Sequence, residues 1–220
     1  MFYFDKINNL KILRSDMLTE ADAFFTTREI DSYEKINPDC NYIMPCQTHS
    51  DNVEIVDERL DYPNTDGLIL YNKKVAICLK FADCTPLIFY DTEHAIGAVS
   101  HAGWRGTASK IGIKTIEKMK SNFGTNPQNV KVLIGPSISL CCYEVGEDVK
   151  NKLLSTVKNT DGLYKDNFVD LKQINARQLE EIGVEQIDTA PFCTYCRNDL
   201  FFSYRKENGT KDRHYAILKL

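Results

Sequence analysis

No stretch of this sequence is apolar for long enough to cross a membrane, because no run approaches the roughly 20 residues that a bilayer requires. The first residues, MFYFDKINNLKIL, also lack the basic segment and the continuous apolar core of a secretory signal peptide. We therefore expect a cytoplasmic protein without a membrane partner.

An excess of positive charge is also missing. The chain has 27 Lys and Arg residues against 31 Asp and Glu residues, and the charges are dispersed along it. A protein that binds the phosphate backbone of DNA or RNA needs a basic face, so the composition argues against a nucleic-acid partner. Repeats and low-complexity tracts are absent, and 43% of the 220 residues are hydrophobic. This length and composition predict one domain that spans residues 1–220.

Histidine is scarce, with four residues in the whole chain. The mononuclear and trinuclear centres of a blue-copper laccase need many imidazoles in addition to a cysteine, and four histidines cannot supply them. Cysteine is more frequent, with eight residues. In a chain of this length without an export signal, we expect most of these thiols in the core, with room for one ligand or nucleophile.

Short apolar runs bounded by Pro, Asn, Asp and Gly predict eight strands. They cover residues 42–44, 53–56, 67–70, 75–80, 87–90, 96–100, 130–134 and 215–218. Helical spacing of apolar residues predicts three helices: one from Thr107 to a stop at Gly124, one over 147–157, and one between an N-cap at Asp170 and Gly183. Because strands outnumber helices, we predict a layered α+β domain whose sheets are covered by helices.

Two histidines and one cysteine stand where predicted strands end or break. His49 follows the strand at 42–44, His101 follows the strand at 96–100, and Cys84 interrupts an apolar segment. If these breaks meet at one end of the sheets, two imidazoles and a thiolate form a three-ligand set for zinc with an open fourth position. A packed thiol and two ordinary histidines fit the same spacing, so the residues alone leave both interpretations open.

Arg105 stands between two glycines just before the helix start predicted at Thr107. A guanidinium beside free helix-start amides would bind phosphate or carboxylate, and pairing with a surface acid is the alternative. Ser137 follows the strand at 130–134 in a turn that either faces a ligand or only reverses the chain.

The segment CTYC places Cys193 and Cys196 at the spacing of a redox or zinc pair. A second CxxC and a thioredoxin-like context are both missing. We therefore interpret the pair as structural, with a reactive thiol as the alternative.

Several segments together resemble the laccase-domain family, whose members are described as polyphenol oxidases, as purine nucleoside phosphorylases and as peptidoglycan editing factors. The segments run in the family's order from about residue 43 to the C-terminus: QTHSDNV, TDGLIL, ADCTPLIFYD, SHAGWRGTASKI, IGPSISLCCYEVGEDV, LKQINARQLEEIGV and FFSYRKE. The resemblance implies a layered α/β/β/α fold, shared distantly with deamidase toxins that use a Cys–His pair. Upstream the chain departs from the family, because it passes from FTTREID to QTHS without the usual glycine-rich loop and SLNL segment.

In that family the metal is held by the histidine of the QxHS segment, the cysteine of ADC and the histidine of HAGWRG. Here those positions are His49, Cys84 and His101. The resemblance implies that these three residues form the catalytic site and bind zinc, with copper as a further option.

The implied activity is that of a zinc-dependent purine nucleoside phosphorylase, which cleaves adenosine or inosine with inorganic phosphate to the free base and ribose 1-phosphate. Adenosine deaminase and methylthioadenosine phosphorylase are expected as side activities. The predicted substrate contacts are Arg105, Gln47 and Ser137. Asp83 or Glu144 is the candidate acid–base group, although strand alternation directs Asp83 away from Cys84. We expect a monomer or a weak homo-oligomer.

Two other activities stay open. In a Cys–His amide hydrolase that edits peptidoglycan precursors, Cys84 would be the nucleophile and His101 or His49 its base. In a polyphenol oxidase, a single copper ion would occupy the same three-ligand site. A binding protein with a structural zinc is disfavoured, because only three ligands are in view.

Overall fold

The computed structural model describes residues 1–59 and 61–220. The described residues form fourteen strands, numbered along the chain: β1 (Phe2–Ile7), β2 (Leu10–Ser15), β3 (Asp22–Thr26), β4 (Tyr42–Ile43), β5 (Val53–Ile55), β6 (Gly67–Leu70), β7 (Ala76–Phe81), β8 (Thr85–Asp91), β9 (Ile96–Ala102), β10 (Val130–Ile134), β11 (Tyr164–Lys165), β12 (Phe168–Val169), β13 (Gln186–Thr189) and β14 (His214–Lys219). They also form four α-helices, α1 (Trp104–Ala108), α2 (Ile111–Phe123), α3 (Glu147–Leu154) and α4 (Leu171–Glu180), and two 3₁₀ helices, Tyr33–Lys35 and Pro127–Asn129.

The strands build two six-stranded sheets and one small hairpin. The first sheet has the order β1-β2-β3-β14-β7-β4, the second has the order β13-β10-β8-β9-β6-β5, and β11 pairs with β12. Most neighbours are antiparallel, whereas β4 with β7, β5 with β6 and β10 with β13 are parallel. Strands β8 and β9 are buried along their whole length, because both faces of the second sheet are covered.

The two sheets pack face to face. Leu79 and Phe81 of β7 share one buried cluster with Ile88 of β8, Val99 of β9 and Leu133 of β10. Side chains alternate between the two faces of a strand, so each of these strands sends apolar residues into the space between the sheets. The packing brings the end of β7, the start of β8 and the end of β9 to one end of the sandwich.

Helices cover the outer face of the second sheet. Ile111, Ile116 and Met119 of α2 share a buried cluster with Phe89 of β8 and Leu179 of α4. The helical spacing of these apolar residues places them on one side of α2, and burial of that side holds the helix against the sheet.

A loop with one 3₁₀ helix covers the outer face of the first sheet. Ile30 and Ile36 of this loop share a buried cluster with Ile12 of β2, Phe24 of β3 and Ile217 of β14. The layers are therefore helices, sheet, sheet and a thin cover. The α+β fold is confirmed, and its fourth layer is made mainly by this loop.

Every predicted strand is present, and the structure adds strands that the pattern did not indicate. The added strands are β1, β2, β3, β11, β12 and β13. In β1 four consecutive side chains are exposed, so no apolar alternation marks it, and antiparallel pairing with β2 holds it in place. The N-terminal strands thus depend on main-chain pairing that the sequence pattern does not reveal.

The helix predicted from Thr107 is in fact two helices. Gly103 precedes α1, and Lys110 adopts a left-handed backbone with φ of 58° between α1 and α2. Thr107 lies inside α1, where its N–H donates to the carbonyl of Gly103 at 2.8 Å. The prediction of free amides at Thr107 is therefore wrong, because the helix begins three residues earlier.

The other helix predictions are confirmed, with small changes at their C-terminal ends. Asp170 caps α4, since its side chain accepts a hydrogen bond from the N–H of Gln173 at 3.1 Å. Gly124 ends α2 with a left-handed φ of 79°. In the part of the chain that the structure describes, no helix combines the length and the apolar character that crossing a membrane would require.

Candidate active site

His49, Cys84 and His101 converge at one end of the sandwich. His49 lies in the loop after β4, Cys84 in the turn between β7 and β8, and His101 near the end of β9. The candidate ligand atoms of the three residues lie within 4.8 Å of one another. His49 is exposed, Cys84 is half-buried and His101 is buried. The structure thus brings together the three residues of the predicted ligand set, with one side of the group open to solvent.

The buried carboxylate of Asp66 organises the loop that carries His49. Its Oδ1 accepts a hydrogen bond from the backbone N–H of His49 at 3.1 Å. Its Oδ2 accepts from the N–H groups of Thr48 at 3.1 Å and Ser50 at 2.7 Å. The left-handed backbone of His49, with φ of 62°, lets three successive N–H groups face one anion. Hydrogen bonds to a charged group therefore offset the backbone strain at His49.

The same carboxylate orients His101. Nδ1 of His101 lies 2.7 Å from Oδ1 of Asp66, which leaves Nε2 free to interact with Cys84, and the candidate ligand atoms of the two residues lie within 4.8 Å of each other. Histidines that bind a metal usually give their second ring nitrogen to such a partner, which fixes the tautomer and the ring orientation. Asp66 therefore orients the ring of His101 and fixes the main chain that carries His49.

The electrostatics of the group favour a thiolate. Burial raises the pKa of Cys84, but the charges and hydrogen bonds of His101 and His49 outweigh it and lower this pKa to about 6. Burial lowers the pKa of His101, but Cys84 and Asp66 raise it to about 9. Burial raises the pKa of Asp66, but hydrogen bonds from His101 and Ser50 bring it to about 2. The interactions among the three groups thus favour the charged form of each.

Gly103 allows the main chain to close over the site. A Cβ at this position would lie 3.0 Å from Sγ of Cys84 and 3.1 Å from Cδ2 of His49. The backbone of Gly103 has φ of −69°, so space, not an unusual conformation, excludes a side chain here. The glycine therefore sets how closely α1 approaches Cys84 and His49.

The donor set suits a transition-metal ion. Two imidazoles and a thiolate are ligands that zinc and copper accept. Their ligand atoms lie within 4.8 Å of one another, and His49 is exposed, so a single ion held here would keep a position open to solvent. Three protein ligands with an open position are typical of a catalytic rather than a structural zinc site.

A cavity of about 660 Å³ opens beside these three residues, a volume typical of small-molecule sites. It is lined by the cationic side chains of Lys80, Arg205 and Arg213 and by the rings of Tyr143 and Tyr204. Arg205 lies 5.4 Å from the ring centre of Tyr143, and Arg213 lies 5.9 Å from that of Tyr204. The cavity thus offers positive charge and aromatic surface next to the ligand set.

Gln47 and Ser137, two predicted substrate contacts, have different positions. Gln47 lines the cavity, and its amide pairs with the main chain of Lys80, at 2.9 Å to the N–H and 3.0 Å to the carbonyl. Ser137 is fully buried, and its hydroxyl accepts a hydrogen bond from Thr85 at 3.2 Å. The Ser137 side chain therefore faces the interior rather than the cavity.

Arg105, the third predicted contact, lies on the exposed side of α1. Its guanidinium is 4.3 Å from the ring centre of Trp104. Burial raises the pKa of Tyr143 to about 12, and the charges of Arg205 and Arg105 oppose this increase. Arg105 is therefore outside the cavity lining, and its positive charge affects the cavity residue Tyr143 from a distance.

The two candidate acid–base residues both bond to Arg205, Asp83 through its carboxylate and Glu144 through its main-chain carbonyl. Oδ1 of Asp83 accepts from the hydroxyl of Thr194 at 2.6 Å, and Oδ2 accepts from the N–H of Arg205 at 2.7 Å. Glu144 is exposed, and its carbonyl accepts from the guanidinium of Arg205 at 3.2 Å. Both residues thus hold Arg205 beside the cavity.

Sequence reasoning missed the residues that complete the site. They are Asp66, Tyr143, Tyr204, Arg205 and Arg213. The first four stand in the segments TDGLIL, CCYEV and FFSYRKE, where no local pattern marks them as cavity residues. Each lies in a loop or beside a strand end, where no spacing indicates a long-range contact.

The fold and the site together define an α+β protein with two imidazoles and a thiolate beside a cationic cavity. A family model described as multi-copper polyphenol oxidoreductase laccase matches residues 26–220. The chain therefore belongs to this family, as the quoted segments predicted.

Curated relatives of this chain are named purine nucleoside phosphorylases. YlmD of Bacillus subtilis is 33% identical over 195 residues, a match that covers 81% of this chain and 70% of the relative. A protein of Bacteroides thetaiotaomicron with the same enzyme name is 35% identical over 185 residues, which covers 74% of this chain and 67% of that relative. The crystal structure of YlmD from Geobacillus stearothermophilus is similar, with a TM-score of 0.89 and 25% identity over 98% of both chains.

The family is described as multi-copper, whereas this site gathers two of the four histidines. His94 lies in the turn after β8, with Nδ1 2.9 Å from Oδ2 of Asp91. His214 is fully buried on β14 beside Phe81 and Phe201. The remaining imidazoles are thus placed away from the ligand set, as a single-ion site requires.

Proposed function

We propose that this chain is a zinc-dependent purine nucleoside phosphorylase, which converts adenosine or inosine and inorganic phosphate into the free base and ribose 1-phosphate. One observation carries the proposal: the ligand set of His49, Cys84 and His101 opens onto the same cavity as Arg205 and Arg213. A phosphorolytic enzyme needs an anion site and a polarising group around one sugar, and this cavity offers both. The names of the curated relatives support the same assignment.

His49, Cys84 and His101 would hold the zinc ion, and Asp66 would keep the His101 ring and the main chain of His49 in place. When bound, the zinc ion supplies a Lewis acid and lowers the pKa of a coordinated water. Loading the site would release the proton of the His101 imidazolium, because a histidine binds a metal in its neutral form. Copper in the same ligands is the second possibility for the metal.

Phosphate would bind to the arginines of the cavity. Arg205 and Arg213 offer planar guanidinium groups that suit a tetrahedral oxyanion, and Arg105 adds charge from outside the cavity wall. The N–H of Arg205 is held by Asp83 at 2.7 Å, so the start of that side chain is fixed relative to Cys84. The arginines would thereby hold phosphate for attack on the sugar.

The nucleoside would bind between this anion and the tyrosine rings. Tyr143 and Tyr204 present aromatic faces on which a purine stacks. In the reaction a phosphate oxygen forms a bond to C1′ of the ribose, the bond from C1′ to the purine nitrogen breaks, and its electron pair leaves with the base, which then takes up a proton. Gln47, on the cavity wall, is the proposed polar contact to the nucleoside.

An assay of base release from inosine and adenosine, with and without phosphate, tests the proposal. We expect release that requires phosphate and produces one ribose 1-phosphate for each base. Cys84→Ala should lose this activity, whereas Cys40→Ala, which removes a half-buried thiol from a loop outside the cavity lining, should keep it. Absence of phosphate-dependent cleavage across purine nucleosides would exclude the proposal.

Two side activities belong to the same proposal. Adenosine deaminase activity would convert adenosine to inosine without phosphate, which absorbance at two wavelengths detects. Methylthioadenosine phosphorylase activity would release adenine from methylthioadenosine only when phosphate is present. Loss of both in Cys84→Ala, together with the main activity, is expected if one site performs all three reactions.

A specific observation also favours an amide hydrolase as a second candidate. The thiol of Cys84 lies near the imidazole of His101, whose Nδ1 is 2.7 Å from the carboxylate of Asp66, an order of groups found in enzymes with a cysteine nucleophile. Iodoacetamide separates the two candidates. A free nucleophile is alkylated at Cys84 whether or not zinc is added, whereas zinc protects a thiolate that binds it.

A further inference from the structure

Four cysteines gather at a second place, beside the cavity wall. Cys141 and Cys142 lie in the turn after β10, and Cys193 and Cys196 lie in the loop after β13. Their four sulfur atoms all lie within 4.8 Å of one another. The two pairs are far apart in sequence, so the fold creates this cluster. The two cysteines of CTYC meet Cys141 and Cys142, which are consecutive in the chain and so do not form a CxxC motif.

Two of the sulfur separations in the cluster are close to the edge of a tetrahedron around one metal ion. A zinc–sulfur bond of about 2.3 Å places two tetrahedral ligands about 3.8 Å apart. Sγ of Cys196 lies 3.7 Å from Sγ of Cys141 and 3.4 Å from Sγ of Cys142. A disulfide would bring two sulfurs to about 2.05 Å, and all four residues are free thiols. The group therefore has the size of a single-ion site.

Main-chain hydrogen bonds fix the two loops against each other. Ser137 and Cys193 form a parallel bridge, and the N–H of Thr194 donates to the carbonyl of Ser137 at 3.1 Å. Within the loops, the N–H of Arg197 donates to the carbonyl of Cys193 at 2.8 Å. The backbone rather than flexible side chains thus sets the positions of the sulfur atoms, as a preorganised metal site requires.

A buried lysine beside the cluster gives an independent observation. Lys172 of α4 is 5% exposed, and its ammonium donates to the carbonyls of Ala190 at 2.8 Å and Phe192 at 3.2 Å. Burial lowers the pKa of Lys172, and the charges of Asp170, Cys193 and Cys141 oppose this. A buried ammonium destabilises the fold unless an anion balances it. Four thiolates around a divalent ion carry a net charge of −2, which would balance Lys172.

We propose that Cys141, Cys142, Cys193 and Cys196 bind one zinc ion as a structural tetrathiolate site, separate from the cavity site. Binding would release the protons of the thiols, with no change in oxidation state. The site is closed, because four protein ligands fill the tetrahedron and leave no position for a substrate.

The ion would fasten two segments that shape the cavity. Thr194, between Cys193 and Cys196, donates to Asp83 at 2.6 Å, and Asp83 precedes Cys84 in the chain. On the other loop, Tyr143 follows Cys142 and lines the cavity. Loss of the ion should therefore lower the melting temperature and loosen this wall, while the three cavity ligands stay in place.

Zinc content and X-ray absorption test the site in a protein whose cavity site is disabled. The His49→Ala variant removes an exposed cavity ligand and leaves the four cysteines intact. Purified with reductant and without chelators, it should keep about one zinc ion per chain, against about two in the unmodified protein. Its zinc-edge spectrum should show four sulfur neighbours at about 2.3 Å.

Cysteine variants complete the test in the otherwise unmodified chain. Cys196→Ser, at an exposed position, should lose one zinc ion and melt at a lower temperature, while Cys40→Ser should lose none. If Cys196→Ser does not fold, the His49→Ala spectrum decides alone. A spectrum dominated by nitrogen and oxygen, absence of zinc in His49→Ala, or a non-reduced mass that shows disulfides among the four cysteines would each overturn the proposal.

Discussion

The ring of Phe81 is close to two buried histidines, His101 and His214, whose pKa values shift in opposite directions. The ring centres of His101 and His214 lie 5.3 Å and 6.4 Å from that of Phe81. Burial lowers the pKa of both, but the thiolate of Cys84 and the carboxylate of Asp66 raise that of His101 to about 9. Among the described residues His214 has no thiolate or carboxylate partner, and burial lowers its pKa to about 3. Neighbouring charges, rather than burial, therefore make the pKa values of His101 and His214 differ.

His94 separates the effect of the carboxylate from that of the thiolate. Its Nδ1 lies 2.9 Å from Asp91, a pair that resembles His101 with Asp66. This pair stands in the turn between β8 and β9, at the opposite end of these strands from Cys84. A histidine held by an aspartate is thus insufficient for a site, which also needs the thiolate and the cavity.

Replacing each buried histidine in turn gives the largest expected contrast. His101→Ala removes a proposed metal ligand, and we expect phosphorolysis to fall by at least about 10³-fold. His214→Ala leaves a cavity among aromatic rings and should destabilise the fold by about 2 kcal/mol, with activity changed by less than about tenfold. Steady-state rates and denaturant unfolding measure the two effects. Similar losses of activity in the two variants would contradict the comparison.

The second contrast is between the two aspartates that hold a histidine. Asp66→Asn weakens the hydrogen bonds to His101 and to the His49 loop, so zinc affinity and turnover should fall by about 10–100-fold. Asp91→Asn makes the same change at His94 and should leave both quantities unchanged. Competition with a chelator and turnover rates measure the effect. Equal zinc affinity in Asp66→Asn and the unmodified protein would remove Asp66 from the proposed role.

A smaller effect is expected from the close approach of α1. In Gly103→Ala the new Cβ would lie 3.0 Å from Cys84 Sγ and 3.1 Å from His49 Cδ2, so these side chains must shift. We expect about a tenfold loss of zinc affinity. Gly146→Ala is the control, since its nearest neighbour is a carboxylate oxygen of the exposed Asp148, which can move. Unchanged affinity in Gly103→Ala would show that the site tolerates the displacement.

A last effect concerns acid stability. The unfolded chain protonates His214 near pH 6.5, whereas the folded protein keeps it neutral down to a pKa of about 3. The unfolded state therefore binds the extra proton between these values, and folding stability falls as the pH falls through this window, by about 2 kcal/mol from pH 6.5 to 5. His214→Phe should lack this contribution. Denaturant unfolding at pH 7, 6 and 5 measures the difference, and parallel curves would contradict the assignment.

The sequence predicted the strands of the sandwich because their apolar runs are bounded by turn residues. It indicated that His49, Cys84 and His101 interrupt or end such runs, and the antiparallel pairing of β8 with β9 brings Cys84 and His101 to the same end of the sheet. The resemblance then selected these residues as a group. The exposed strand β1 carries no such pattern, and its pairing with β2 is visible only in the structure.

Local sequence patterns indicated Arg105 as the anion-binding arginine, whereas Arg205 lines the cavity. Arg105 has glycine neighbours that indicate a tight turn, yet α1 begins at Trp104 and leaves Arg105 exposed beside that ring. Arg205 has no local signal, and it reaches the cavity because Asp83, more than a hundred residues earlier in the chain, accepts a hydrogen bond from its N–H. Contacts between distant loops, such as this one and the four-cysteine cluster, follow from the fold and not from spacing.

Phosphorus NMR of the purified protein with inosine and inorganic phosphate tests the central claim most directly. The account predicts that the phosphate signal declines while a ribose 1-phosphate signal grows in step with the release of hypoxanthine, and that His101→Ala shows neither change. Release of hypoxanthine with an unchanged phosphate signal, or no reaction with any purine nucleoside, would contradict it.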